Sequence, residues 1–175
     1  MEGEKYFNNG QYEKAIEVYT EYLRTKPRHV QSLYNRGRSF EELGKVEEAL
    51  ADYTAILEFE PHNASALSSL SKVYLEQKDS DNALYYADLA VKNSNDNARA
   101  YYLRGRAYHN QGKFKEALAD YDNAITIKRD MGQAFLYRGA VKIRMKRQAS
   151  GCSDLRIAKS LNVAEADNAL QKYCK

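Results

Sequence analysis

Apolar and small residues recur along the chain at intervals of three and four, the period that gathers side chains on one face of an α-helix. The interval is clearest over residues 98–128, where Tyr101, Gly105 and Tyr108 precede Gly112, and Phe114, Ala117, Tyr121 and Ala124 follow it. The glycine interrupts the pattern without ending it, so this stretch predicts two helices broken at Gly112 and folded on each other as a hairpin.

A step of 34 residues returns to the same chemistry: Ala15, Ala49, Ala83 and Ala117 share one register, with Gly151 at the next step. Tyr19, Tyr53 and Tyr121 form a second register, and Gly37, Gly105 and Gly139 a third. Each hairpin then buries its inner face against the next, which predicts one elongated stack with nearest-neighbour contacts and no central core. This pattern resembles the tetratricopeptide repeat family, whose unit is a helix–turn–helix of the same period. The resemblance covers essentially the whole chain and implies an all-α fold: an α-solenoid, wound as a right-handed superhelix of about five hairpins and closed by a C-terminal capping helix.

The units expected within this single domain are 1–29 (partial), 30–63, 64–97, 98–131 and 132–163, followed by a capping helix over 164–174. In the second unit the spacing predicts helices near 30–43 and 46–59, broken at Gly44 and ended by Pro61, which cannot continue a helix. The third unit diverges, with Ser71 at the first glycine position and Lys78 at the second. Ala87 stands there in place of a tyrosine, which predicts a tighter helix approach. The fifth unit keeps Phe135, Gly139 and Ala158 but loses the glycine between its helices, and Leu170 and Tyr173 are the expected buried residues of the capping helix. Counting back from Gly10, Tyr12 and Ala15 puts Met1 at the sixth position of the first unit. The first helix should therefore start about a turn and a half late, and upstream sequence is expected to have been removed.

One correlation repeats with the units. Arg36, Arg104 and Arg138 hold the seventh position of units two, four and five, and Asp52, Asp120 and Asp154 follow them sixteen residues later. Units one and three carry Glu2 with Val18 and Leu70 with Tyr86 instead. The joint presence of Arg and Asp predicts a structural ion pair between the two helices of one hairpin, with the planar guanidinium able to grip the carboxylate by both oxygens.

Composition narrows the function. No run approaches the roughly 18 apolar residues that a membrane-spanning helix needs, so no membrane insertion is expected. The net charge of +3 conceals a gradient: residues 1–60 hold 8 Lys or Arg against 12 Asp or Glu, whereas residues 101–175 hold 15 against 7. His29, His62 and His109 have no cysteine or acidic partner at metal-ligand spacing, and neither a glycine-rich phosphate loop nor an HExxH motif is present. An enzyme is therefore not expected, and no metal or cofactor is implied.

Cys152 and Cys174 each lie 11 residues from a turn near Val163, which would set them level across an antiparallel helix pair. Two readings stand open, a disulfide or two buried thiols. A bond would point to an oxidising compartment such as a periplasm. The end of the chain is also similar to the ends of bacterial envelope-associated repeat proteins. Without the bond the cytoplasm is expected.

In the family that the sequence resembles, the first helix of each hairpin lines a concave groove. Carried onto this chain, that implies a stripe of partner-contacting residues: Tyr34, Asn35 and Arg38, then Ser69 and Lys72. It continues with Arg99, Tyr102, Arg106 and His109, and ends with Gln133, Tyr137 and Arg144. The stripe is basic and aromatic, the composition of binding hot spots, and suits an extended acidic peptide or protein segment. The two-carboxylate clamp known in the family is matched only at Asn35 when laid on units one to three. The expected function is a non-enzymatic scaffold or adaptor. The alternative is single-stranded RNA binding by the basic C-terminal half, densest at residues 142–147 (KIRMKR), although that run reads more simply as a charged helix end.

Overall fold

Each predicted break between paired helices is a residue in the left-handed region. Gly10, Gly44 and Gly112 have φ of 71°, 69° and 74°, while Lys78 and Lys146 hold the same place in the third and fifth units at 63° and 62°. That conformation costs a residue with a Cβ about 1 kcal/mol. In those two units, packing must therefore hold the turn closed. The computed structural model describes residues 2–175, and the expected position of Met1 in the first unit lies outside them.

Eleven helices follow among the described residues, with no strand. The pairs are α1 (Glu2–Asn8) with α2 (Tyr12–Thr25), α3 (Val30–Glu42) with α4 (Val46–Phe59), and α5 (Ala64–Glu76) with α6 (Ser80–Asn93). Then come α7 (Ala98–Asn110) with α8 (Phe114–Ile127), α9 (Gly132–Arg144) with α10 (Gln148–Ser160), and the final α11 (Glu165–Tyr173). Side chains fix where first helices begin: Asn63 accepts from the Ala66 N–H, Asn97 from that of Ala100, and His29 from that of Ser32.

Every helix packs on the next in the chain, and α5 also touches α7, α7 touches α9 and α9 touches α11. The odd-numbered helices therefore share one face of the stack. Inside the first, second and fourth hairpins a tyrosine ring fills the notch left by a glycine, while in the fifth Leu155 and the Gly151 backbone close on Gly139. A Cβ on Gly37 would lie 2.7 Å from the Tyr53 ring, and one on Gly105 would lie 2.8 Å from the Tyr121 ring. Tyr19, Tyr53, Tyr121 and the register alanines 15, 49, 83 and 117 are fully buried. In the third unit the ring is gone, since Ala87 replaces it, and the space admits Ser71, whose hydroxyl donates to the Ala83 carbonyl at 2.9 Å. The two departures from the repeat are thus one compensated change.

The arginine–aspartate pairs form as the spacing predicts, and they reach further. Arg36 donates through Nε and Nη2 to both oxygens of Asp52, at 2.8 and 2.6 Å. Arg104 grips Asp120 and Arg138 grips Asp154 in the same two-pronged way. The remaining Nη1 of each arginine turns back to the preceding hairpin, donating to Thr20 at 3.1 Å, Asp88 at 2.9 Å and Asp122 at 2.6 Å respectively. Each guanidinium therefore joins three helices, and the ladder stitches hairpin to hairpin. Burial raises the Asp52 carboxyl above its ordinary value despite the opposing hydrogen bonds from Arg36.

The end of the stack departs from expectation. Helix α11 lies against α10 and α9, but its buried residue is Ala166; Leu170 is half-buried and Tyr173 is 42% exposed. A nine-residue helix has one narrow inner face, and the small Ala166 takes the closest contact on it. Cys152 and Cys174 are joined by a disulfide, and Gln148 Nε2 donates to the Tyr173 carbonyl, so the end of α11 is tied to the start of α10.

Candidate functional site

Residues facing outward from the odd-numbered helices gather in two places. The first is a cleft of about 390 Å³ between α3, α5 and α7, bordered by Tyr34, Arg38, Ser69, Lys72 and Arg99. Five of the residues picked from the sequence meet there because positions three or four apart on one helix align with their 34-residue equivalents on the next. Their roles differ. Lys72 is held between Glu41 at 3.3 Å and Glu76 at 3.7 Å. Arg38 lies over the Phe7 ring at 4.4 Å, and Ser69 is 1% exposed, a floor residue with no reach into solvent.

Glu41 and Glu42 also line this cleft and were not among the residues chosen from the sequence. Glu41 accepts from the Tyr53 hydroxyl at 2.8 Å; burial first, then the charge and hydrogen bond of Glu41, keep that phenol protonated far above the usual range. The signal was present: Glu41 falls three residues after Arg38 and seven after Tyr34, on the same helical stripe. Asn35 is already engaged, since its Nδ2 donates to the Tyr19 hydroxyl at 3.1 Å and its Oδ1 accepts from Gln31. Gln133 joins neither gathering.

The second gathering lies between α7, α9 and α11. Arg106 is sandwiched by aromatic faces, 5.8 Å from the Tyr102 ring and 5.0 Å from that of Tyr137. His109 meets Phe114 at 5.8 Å and Tyr137 at 6.3 Å, edge to face, and Arg144 lies over Phe114 at 5.4 Å. Beside them a cavity of about 270 Å³ is walled by His109, Ala140, Ile143, Arg144 and Tyr173. Tyr137 and Tyr102 together cover Tyr121, whose hydroxyl is buried and makes no hydrogen bond among the described residues.

Electrostatics follow from this crowding. Burial first, then the charges of Arg144 and Arg106, hold His109 below its ordinary value. The Tyr102 hydroxyl is pushed up to about 12, chiefly by burial and against the pull of Arg106. Among the described residues no carboxylate forms an ion pair with Arg106, His109 or Arg144, whereas the neighbouring Lys142 is neutralised by Asp154 at 2.8 Å. No group of three or more His, Cys, Asp or Glu side chains among the described residues could hold a metal ion, and no described helix is long and apolar enough to cross a membrane.

A serial stack of helix hairpins with a shared outward face on its first helices defines an α-solenoid repeat protein. The chain belongs to the tetratricopeptide repeat family: models of the repeat match residues 1–63, 36–98 and 98–131. Among curated proteins none matches the sequence. Solved structures share the fold. MamA from Desulfovibrio magneticus RS-1 is similar at 21% identity and a TM-score of 0.79, over 91% of this chain and 90% of that one. TTC0263, a thermophilic repeat protein of Thermus thermophilus, is similar at 21% identity and a TM-score of 0.74, over 97% of this chain and 91% of that one. YrrB, described as a repeat protein with an unusual peptide-binding site, is similar at 18% identity and a TM-score of 0.73, over 97% of this chain and 88% of that one.

Proposed function

We propose that the protein is an interaction scaffold that holds an extended, acidic segment of a partner along the face made by its first helices. The observation that carries this reading is a division among its arginines. Arg36, Arg104 and Arg138 are saturated by Asp52, Asp120 and Asp154, while Arg38, Arg99, Arg106 and Arg144 on the outward face make no ion pair among the described residues. Three of those four rest on aromatic rings, which limits their motion and lowers the entropy lost when an anion binds. YrrB, of the same fold, is described as having a peptide-binding site, which supports peptide binding in general.

Titration with synthetic Asp/Glu-rich, Lys-rich and neutral peptides of equal length, read by calorimetry, tests the proposal. Acidic peptides should bind, and changing Arg99 and Arg106 to Ala should weaken them. Equal affinity for all three classes would defeat the reading. The RNA alternative is less well supported, because Lys142 within the basic run is spent on Asp154. An oligonucleotide titration separates the two, since phosphate-driven binding falls steeply as salt rises.

A further inference from the structure

We infer that the gathering between α7, α9 and α11 is a subsite for one carboxylate next to one aliphatic side chain of a bound peptide. This rests on the first-helix face being the working surface, and adds which part of it reads which chemistry.

Two features with different chemistry adjoin there. The cavity of about 270 Å³ has Ala140, Ile143 and Tyr173 on its walls, a mostly apolar recess. Such a recess suits a branched aliphatic group that leaves water on entering. At its rim stand His109 and Arg144, with Arg106 one turn back on α7, all without a carboxylate partner among the described residues. A further cation, Lys172, lies over the Tyr173 ring at 5.1 Å on α11. The acidic groups with electrostatic reach into the cluster are Glu165, which acts on Tyr102, and Asp120, which acts on Tyr121 and is itself held by Arg104. Positive charge is therefore in excess at the rim, and an arginine fixed over a ring is a ready donor for a carboxylate.

The orphan hydroxyl of Tyr121 lies next to the recess and not in its wall, covered by the Tyr102 and Tyr137 rings that hold Arg106. In the first two units the equivalent hydroxyls are satisfied, Tyr19 by Asn35 and Tyr53 by Glu41. In the fourth unit Tyr137 stands where Asn35 stands for Tyr19, and it offers a ring face in place of an amide. The chain has thus exchanged a satisfied polar contact for an aromatic wall at this one position. That exchange is unfavourable for folding alone and fits a surface shaped for a ligand.

The recess could receive a peptide's C-terminal carboxylate with its own side chain, or an internal Asp or Glu beside Leu or Ile. Both present the same chemistry. The test uses the intact, oxidised protein and an Ala/Gly-based decapeptide ending in Leu-Glu, prepared with a free or an amidated C terminus. Binding is read by calorimetry and by amide chemical-shift mapping. Replacing peptide Leu by Ala should weaken binding about tenfold, as should removing the recognised carboxylate, by Glu→Gln or by amidation, and Arg144→Gln or Tyr173→Ala in the protein, while Lys45→Gln, an exposed change outside the first-helix face, leaves affinity unchanged. The peptide changes cannot disturb the protein fold, so the inference stays testable if a variant fails to fold. Loss on amidation with Glu→Gln tolerated assigns the terminal carboxylate, and the reverse assigns the side chain. Indifference to all four substitutions overturns the subsite. So does competition by inorganic phosphate at the peptide's own concentration. Shifts confined to the cleft at Tyr34, Arg38 and Arg99 also overturn it and leave the scaffold reading standing, whereas shifts nowhere on the first helices overturn both.

Discussion

Arg104 and Asp120 face each other across the α7–α8 hairpin through two parallel hydrogen bonds of 2.8 Å, with 18% and 4% of their side chains exposed. The third contact of Arg104, to Asp88, reaches the previous hairpin. Removing the guanidinium strands a buried carboxylate, so Arg104→Leu should cost about 3 kcal/mol, the low end for a buried pair. Adding Asp120→Tyr reproduces the Leu70 and Tyr86 combination of the third unit and should recover part of the loss. Urea unfolding of the single and double variants gives the coupling directly, and strictly additive losses would rule the pairing out.

The glycine notch makes a second coupled pair. Because a Cβ on Gly105 would meet the Tyr121 ring at 2.8 Å, Gly105→Ser should destabilise by about 1–2 kcal/mol through overpacking. In a Tyr121→Ala background the same change should be nearly neutral, as the native pairing of Ser71 with Ala87 illustrates. Thermal melts of the four proteins check this; an equal penalty in both backgrounds would contradict it.

The disulfide closes a separation of 22 residues, which in the chain-entropy account contributes about 3 kcal/mol to the ordering of the last helix. Reduction, or Cys174→Ser, should therefore loosen α11 while leaving α1 to α6 protected, since a stack transmits stability only between neighbours. Hydrogen exchange followed by mass spectrometry reads this out. Non-reducing and reducing intact masses should differ by two hydrogen atoms per chain.

His109 supplies a pH dependence. Its folded value lies below that of the unfolded chain, because burial, Arg144 and Arg106 all oppose its charging. Between the two values the unfolded state binds more protons, so its contribution to stability is full above the ordinary value of about 6.5 and is lost as pH falls through the folded value. His109→Gln should flatten the stability curve over that acidic window, and Arg144→Gln should move the imidazole titration upward by NMR. A carboxylate ligand in the recess should do the same, so acidic peptides should bind more tightly as pH falls through that window. A titration unmoved by Arg144→Gln would remove arginine charge as a cause.

Much of this molecule is written locally. A helix has a fixed period and a hairpin joins helices adjacent in the chain, so the 34-residue stride alone set the pairing, the alanine crossings and the Arg–Asp grips sixteen residues apart. It could not set what depends on how one hairpin sits against the next, because that angle is the sum of many side-chain contacts. Only the tertiary structure therefore assigned the third arginine bond to Thr20, Asp88 and Asp122, and brought Glu41 into the cleft with Lys72. It also left Tyr173 outside the core as a wall of the recess, and of the two readings open for the cysteines it selected the bond, since both outcomes turn on where a single short helix comes to rest.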